Sequence, residues 1–102
     1  MKRRIPSWIQ NAAGEIGQNI STWRRMYGLS QSELASRVGV SRETISRLEN
    51  GDGTVAVNTL LTVLHVFGVS DKLVDSVNPY GTPFGMARAE AELPKRIVKP
   101  RE

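Results

Sequence analysis

Residues 29–51 read LSQSELASRVGVSRETISRLENG, and this stretch decides the fold. Ser30 followed three positions later by Glu33 has the form of a capping box, which opens a short helix. Leu34, Ala35 and Val38 make one apolar stripe, and Gly39 stops the helix after two turns. Ser41 then caps a second short helix, with Ile45 and Leu48 facing inward and Gly51 ending it. Three residues separate the two helices, so the helices cross at close range. Ala35 is small enough for that crossing. Gly39 supplies a left-handed turn that residues with a side chain resist. Val40 and Ile45 fill the angle between the helices. The face left over on the second helix is polar: Arg42, Glu43, Ser46 and Arg47.

Outward from this pair the pattern stays helical. Residues 7–27 predict a long helix with Ser7 as its N-cap, and Ile9, Ala12, Ala13, Ile16, Ile20, Trp23 and Met26 recur at three- and four-residue steps. Gly14 and Gly17 weaken it and allow a break near Gly17, and Gly28 ends it. Downstream, 51–54 is a loop. A helix over about 57–67 turns Leu60, Leu61, Leu64 and Phe67 inward, and Gly68 closes it. A fifth helix runs from Ser70 to about Val77, with Leu73, Val74 and Val77 apolar. Pro79, Gly81, Pro83 and Gly85 then read as a linker. Met86–Leu93 has the composition of a short helix, and 94–102 is expected to be extended and disordered without a partner. No strand pattern occurs before residue 96. The expected fold is all-α: a basic arm (1–6), a five-helix domain (7–78), and a linker with a flexible C-terminal arm (79–102).

Composition narrows the function classes. The 102 residues suffice for one small domain. With no cysteine and a single histidine, His65, neither a thiol nucleophile nor a Cys- or multi-His-ligated metal fits, so no cofactor or metal is expected. The hydroxyls of Ser41, Thr44 and Ser46 have no His or Lys arranged to activate them. Without an acid–base pair or phosphate loop, the sequence reads as a non-enzyme. No apolar run approaches the roughly 20 residues of a membrane span, and the basic start lacks an apolar segment after it, so a cytoplasmic protein is expected. The net charge is +4. Lys2, Arg3 and Arg4 give the first six residues three bases, and residues 79–102 hold five bases against three acids. Residues 7–78 hold six bases against seven acids. Basic ends on a near-neutral body suit a polyanion, and they equally suit solubility.

Two short helices joined by a Gly-containing turn have the spacing of a helix-turn-helix, and a polar face at the start of a rigidly held helix is what major-groove reading requires. Residues 19–70, most specifically Leu29–Gly51, resemble the Xre/Cro-type helix-turn-helix of phage repressors and bacterial regulators, which implies a lambda-repressor-like fold and sequence-specific DNA binding as a homodimer. By that resemblance Gln31 holds a backbone phosphate. Ser41, Arg42, Glu43 and Arg47 match base-reading positions, and Ser46 shares their face. Thr44 and Asn50 match positions that touch phosphate or sugar. Arg24 matches the arginine that pairs with Glu49 and ties the first helix to the third. One departure stands out. The loop after the third helix, Asp52-Gly53-Thr54-Val55, lacks the Lys or Arg common in the family, so the arm Lys2-Arg3-Arg4 is the expected source of phosphate contacts.

The lead-in IPSWIQNAAGEIGQNISTWRR and the ending FGMARAEAELPKRIVKPRE are similar to HipB-like antitoxins paired with HipA-like serine/threonine kinase toxins. This implies an autorepressor that also neutralises such a kinase. A stand-alone regulator and a pure protein-interaction module are the competing readings. Several residues keep two readings. Arg42 and Arg47 are DNA contacts or a solvated helix face. Glu43 accepts from cytosine or pairs with Arg47 at i,i+4. Leu73, Val74 and Val77 form a dimer seam or ordinary core. Trp8 and Trp23 are core or interface, and His65 is a surface or dimer contact. Lys95, Arg96, Lys99 and Arg101 are a solvated tail, or they contact DNA or the kinase.

Overall fold

The computed structural model describes residues 4–92, whose regular elements are all helical, with no strand among them. Helix α1 spans Ser7–Met26, α2 Gln31–Val38, α3 Arg42–Glu49, α4 Val57–Val66 and α5 Ser70–Ser76. A 3-10 turn at Pro79–Gly81 and helix α6, Pro83–Glu92, follow. The chain divides after Ser70 into two compact units, where the sequence reading placed the end of the domain at 78. Lys2 and Arg3 of the basic arm, and the tail from residue 93 on, lie outside the described residues.

The core of the first unit is Ile20, Leu29, Leu34, Ala35, Ile45, Leu48, Val63 and Phe67. Every helix of that unit contributes, so α2 and α3 are held by α1 below them and α4 beside them. Burying a side chain of this size contributes roughly 1.5–3 kcal/mol. Trp23 stacks on Phe67 at 5.9 Å, and Tyr27 tilts against Phe67 at 5.3 Å, fastening the C-terminal turns of α1 to the end of α4. In α4 the sequence reading turned Leu60, Leu61, Leu64 and Phe67 inward. The structure buries Val63 and Phe67, and leaves the three leucines half-buried. Val63 and Phe67, at i,i+4, mark the centre of the stripe that meets the other helices, and the leucines flank it.

Local chemistry sets the boundaries. Ser30 Oγ accepts from the Glu33 N–H at 3.0 Å and Glu33 Oε1 accepts from the Ser30 N–H at 2.7 Å, closing the capping box of α2. That Ser30 N–H, with the hydroxyl behind it, holds the Glu33 carboxyl below its ordinary value. Gly39 takes φ 86°, a left-handed C-cap. Ser41 Oγ accepts from the Thr44 N–H at 3.1 Å and caps α3.

Ser7 does not cap α1. Pro6 is the N-cap residue, its carbonyl accepts from the Ile9 and Gln10 N–H groups, and Ser7 is the first helical residue. Nor does α1 break at Gly17. Its twenty residues are continuous, and tertiary contact needs the glycine at 17, whereas a side chain at Gly14 would meet open space. A methyl group at Gly17 would stand 2.5 Å from the Glu49 carbonyl oxygen and 2.6 Å from that of Leu48. One at Gly51, which also has φ 85°, would stand 2.8 Å from Gly14 Cα. The small residues of α1 thus form the seat on which the C-terminal end of α3 rests, backbone against backbone.

In the second unit, the stretch read as a linker is ordered by two Xaa-Pro caps. Asn78 Oδ1 accepts from the Tyr80 N–H at 2.9 Å and opens the 3-10 turn. Thr82 Oγ accepts from the Gly85 N–H at 3.0 Å and donates to the Pro79 carbonyl at 2.6 Å, which starts α6 with Pro83 at its first position. The helix expected at Met86–Leu93 therefore begins three residues earlier. Gly85 is buried against the Pro79 carbonyl, where no side chain fits. In α5, Leu73 is half-buried and Val74 and Val77 are exposed.

Candidate nucleic-acid interface

The face of α3 that does not join the core carries Arg42, Glu43, Ser46 and Arg47, one turn apart in two pairs. Arg42, Glu43 and Arg47 are exposed, and Ser46 is half-buried. Ser41, the cap, is exposed at the N-terminus of the same helix. Its hydroxyl lies 2.9 Å from the Thr44 hydroxyl, and Thr44 is half-buried. At the other end Asn50 caps α3, with Nδ2 3.5 Å from Ser46 Oγ.

A chain of polar contacts runs from the inside of the first unit to this face. Arg24 Nε donates to Glu49 Oε2 at 2.6 Å, and Nη2 donates to Oε1 at 3.1 Å. The third nitrogen, Nη1, donates to the Leu29 carbonyl at 2.8 Å. Glu49 is buried, the two side chains being 6% and 13% exposed, so the pair sits at the α1–α3 seam and not in water. Gln31 Nε2 then donates to Glu49 Oε1 at 2.9 Å, and Arg42 Nη1 donates to Gln31 Oε1 at 2.9 Å. Gln31 has both ends of its amide used, so its position at the start of α2 is fixed by α3. No buried side-chain nitrogen or oxygen among the described residues lacks a partner. Spacing alone did not show that Gln31 couples Glu49 to Arg42, because the link needs α2 and α3 side by side.

Arg47 is held differently. Its Nε donates to Asp52 Oδ2 at 2.8 Å and its Nη2 to Thr54 Oγ at 2.9 Å. Asp52 Oδ1 accepts from both the hydroxyl and the N–H of Thr54, at 2.6 and 2.8 Å. The Thr54 hydroxyl first, then Arg47, hold the Asp52 carboxyl well below the usual carboxylate range. The pairing of Arg47 with Glu43, one of two readings of Glu43, is not formed. Arg47 turns toward the loop because that carboxylate is presented by a backbone that already bends back, the Asp52 N–H donating to the Arg47 carbonyl at 2.9 Å. Asp52 is the residue that sequence reasoning passed over. In the sequence the loop shows only the absence of a base.

The remaining candidate residues are more scattered. Arg4, the described member of the arm, is exposed ahead of α1, and Lys2 and Arg3 fall outside the described residues. Trp8 is 70% exposed on the first turn of α1, whereas Trp23 is half-buried against the core, and His65 is exposed. No helix among the described residues is long and apolar enough to cross a membrane, and no three His, Cys, Asp or Glu side chains come together there as a metal site would need.

Comparison with known proteins places this geometry. A family model described as helix-turn-helix matches residues 20–73. The antitoxin PezA of Streptococcus pneumoniae serotype 4 is 36% identical over 72 residues, 64% of this chain and 46% of that protein. The chain thus spans about half the length of this relative. An uncharacterized HTH-type transcriptional regulator, y4dJ of Sinorhizobium fredii, is 39% identical over 71 residues, 69% of this chain and 90% of that protein. The antitoxin HipB of Escherichia coli K12 is 34% identical over 55 residues, 54% of this chain and 62% of that protein. A polar face on α3, the capped two-helix unit of α2 and α3 and a family match over residues 20–73 make the chain a member of the Xre-type helix-turn-helix family.

Proposed function

We propose that the chain binds duplex DNA sequence-specifically as a homodimer, with α3 in the major groove. The observation that carries this is the exposed polar face of α3, on which Arg42 is tethered through Nη1 by Gln31 and Arg47 through Nε and Nη2 by Asp52 and Thr54. A tethered arginine meets a guanine edge with less rotamer freedom to lose. Ser41, Arg42, Glu43, Ser46 and Arg47 are the base-reading set in this reading. Gln31, Thr44, Asn50 and the arm Lys2-Arg3-Arg4 contact the backbone. Leu73, Val74 and Val77 supply the dimer seam. A two-fold dimer reads an inverted repeat with half-sites about one turn, ~34–36 Å, apart.

The biological role we favour is that of an antitoxin and autorepressor that captures a HipA-like serine/threonine kinase, in a cytoplasmic, nucleoid-associated complex. Antitoxins among the relatives support it. The match that spans 90% of its relative is to a protein named as a transcriptional regulator, and it favours a second reading: a stand-alone regulator without a toxin.

Selection from a random duplex pool, with wild type beside the Arg42→Ala/Arg47→Ala variant, tests the DNA reading. Wild type alone should enrich an inverted repeat. Equal, salt-sensitive retention of all sequences by both proteins would remove α3 as a reader and leave a protein-interaction module. Co-expression with a HipA-like kinase, taken from beside the gene if one is encoded there, separates the two roles. An antitoxin relieves the growth arrest and co-purifies with the kinase, and a stand-alone regulator does neither.

A further inference from the structure

Resting on that DNA reading, we infer that Asp52, together with Thr54, is a positioning group that fixes which edge of the Arg47 guanidinium faces DNA, and so sets the base preference at the position Arg47 reads. The geometry is specific. Nε and Nη2 lie along one edge of a guanidinium. Asp52 Oδ2 takes the first at 2.8 Å and Thr54 Oγ the second at 2.9 Å. Thr54 in turn gives its hydroxyl proton and its N–H to Asp52 Oδ1, so its lone pair is turned toward Arg47. The Asp52 N–H closes the ring on the Arg47 carbonyl. Among the described residues Nη1 has no hydrogen-bond partner. The outer edge, Nη1 beside the second N–H of Nη2, presents two parallel donors, the pattern that meets guanine O6 and N7.

Stability does not account for this clamp. The side chains of Arg47 and Asp52 are 45% and 34% exposed, and ion pairs at such exposure contribute little to folding. Affinity does not account for it either. A carboxylate in the loop after α3 repels phosphates and cancels one positive charge on a face that needs positive charge. The arrangement makes sense where orientation matters more than strength. A free arginine swings between bases and phosphates, and one clamped along its Nε edge offers a single pair of donors. The two arginines of the face then differ in kind. Arg42 is held through one nitrogen by a neutral amide, and Arg47 is held through two by an ionised clamp.

The test uses the full chain as wild type, Asp52→Asn, Thr54→Val and Arg47→Ala. Binding is measured to the selected duplex, to each of its single base-pair substitutions and to a scrambled duplex, at two salt concentrations, with a thermal melt of each protein. Arg47→Ala locates the base pair that Arg47 reads. Asn at 52 keeps the turn but points N–H donors at Arg47. It should flatten the preference at that base pair alone, by about three- to tenfold out of the discrimination a bidentate arginine provides. The same variant should bind the scrambled duplex more tightly, with a salt slope steeper by up to about one unit. Thr54→Val should flatten the same position less and leave scrambled binding unchanged, since it removes an acceptor and no charge. An Asp52→Asn protein that gains affinity for every duplex equally shows a charge effect only and overturns the inference, as does a uniform loss across all duplexes. If Asp52→Asn fails to melt cooperatively, Thr54→Val decides, and an unchanged preference overturns the inference. Absence of any preference in wild type is a separate failure: it removes the DNA reading itself, and this inference with it.

Discussion

Two arginine–carboxylate pairs flank the C-terminal turn of α3, one buried and one exposed, and they share chemistry without sharing a task. Arg24 and Glu49 meet at 2.6 Å at the buried α1–α3 seam, and Arg47 and Asp52 meet at 2.8 Å in the open loop beyond α3. In both, the Nε edge of the guanidinium is bound. At the seam the third nitrogen is bound as well, by the Leu29 carbonyl, so every nitrogen of Arg24 is engaged. In the loop the outer edge is left over. Burial explains the difference in consequence. Breaking a buried pair strands a charge in a poor solvent, and breaking an exposed one returns both groups to water. The first pair fixes where α3 lies, and the second fixes what α3 presents.

The sharpest way to break this comparison is at the seam. Glu49→Ala leaves Arg24 Nε, Arg24 Nη2 and Gln31 Nε2 without their acceptor, and should destabilise the first unit by about 3 kcal/mol, read as a lowered denaturation midpoint. For a domain this small that is a large part of the total. It should also free Gln31, and through it Arg42, so DNA binding weakens even under conditions where the protein stays folded. Gly17→Ala attacks the same seam from the other side. The added methyl meets the Leu48 and Glu49 carbonyls, backbone that cannot step aside, and about 2 kcal/mol should be lost despite the better helix propensity of alanine. A stabilised Gly17→Ala protein would show that α3 does not rest on α1 as described. Ser41→Ala removes the cap of α3 and should cost about 1 kcal/mol.

These residues also show what the sequence carried. Capping chemistry is local, so Ser30, Glu33, Gly39 and Ser41 could be read directly, and with them the two-helix unit. Gly17 is not legible in this way because its role is not local. Propensity treats a glycine as a defect, and only the partner helix reveals it as a seat. Thr82-Pro83 and Asn78-Pro79 carried a legible signal that was misassigned. Proline density suggested a linker, yet a capping residue followed by proline is also how a helix begins. At the candidate site the residue types of α3 were visible from spacing. The Gln31 relay and the Asp52 clamp were not, since each joins residues whose neighbourhood is set by tertiary packing and by the bend after Gly51.

The smallest stability effect belongs to the loop pair, and it can be tuned by acid. The Asp52 carboxyl is held below its usual range by the Thr54 hydroxyl and then by Arg47. A carboxyl lowered in the folded state contributes fully above its unfolded value and loses that contribution only as pH falls through the folded one. The clamp is therefore intact from neutral pH down to about pH 4, where an ordinary aspartate would already be half protonated. Wild type and Asp52→Asn should melt at a nearly constant difference across that span, and the difference should close only at lower pH. Carboxyl resonances followed by NMR would report the same hold directly, with Asp52 titrating well below the usual aspartate range. A difference that fades already between pH 6 and about pH 4 would mean that Asp52 is not held by Thr54 and Arg47. The two pairs would then differ in more than burial, because the one in the loop would not persist as a clamp.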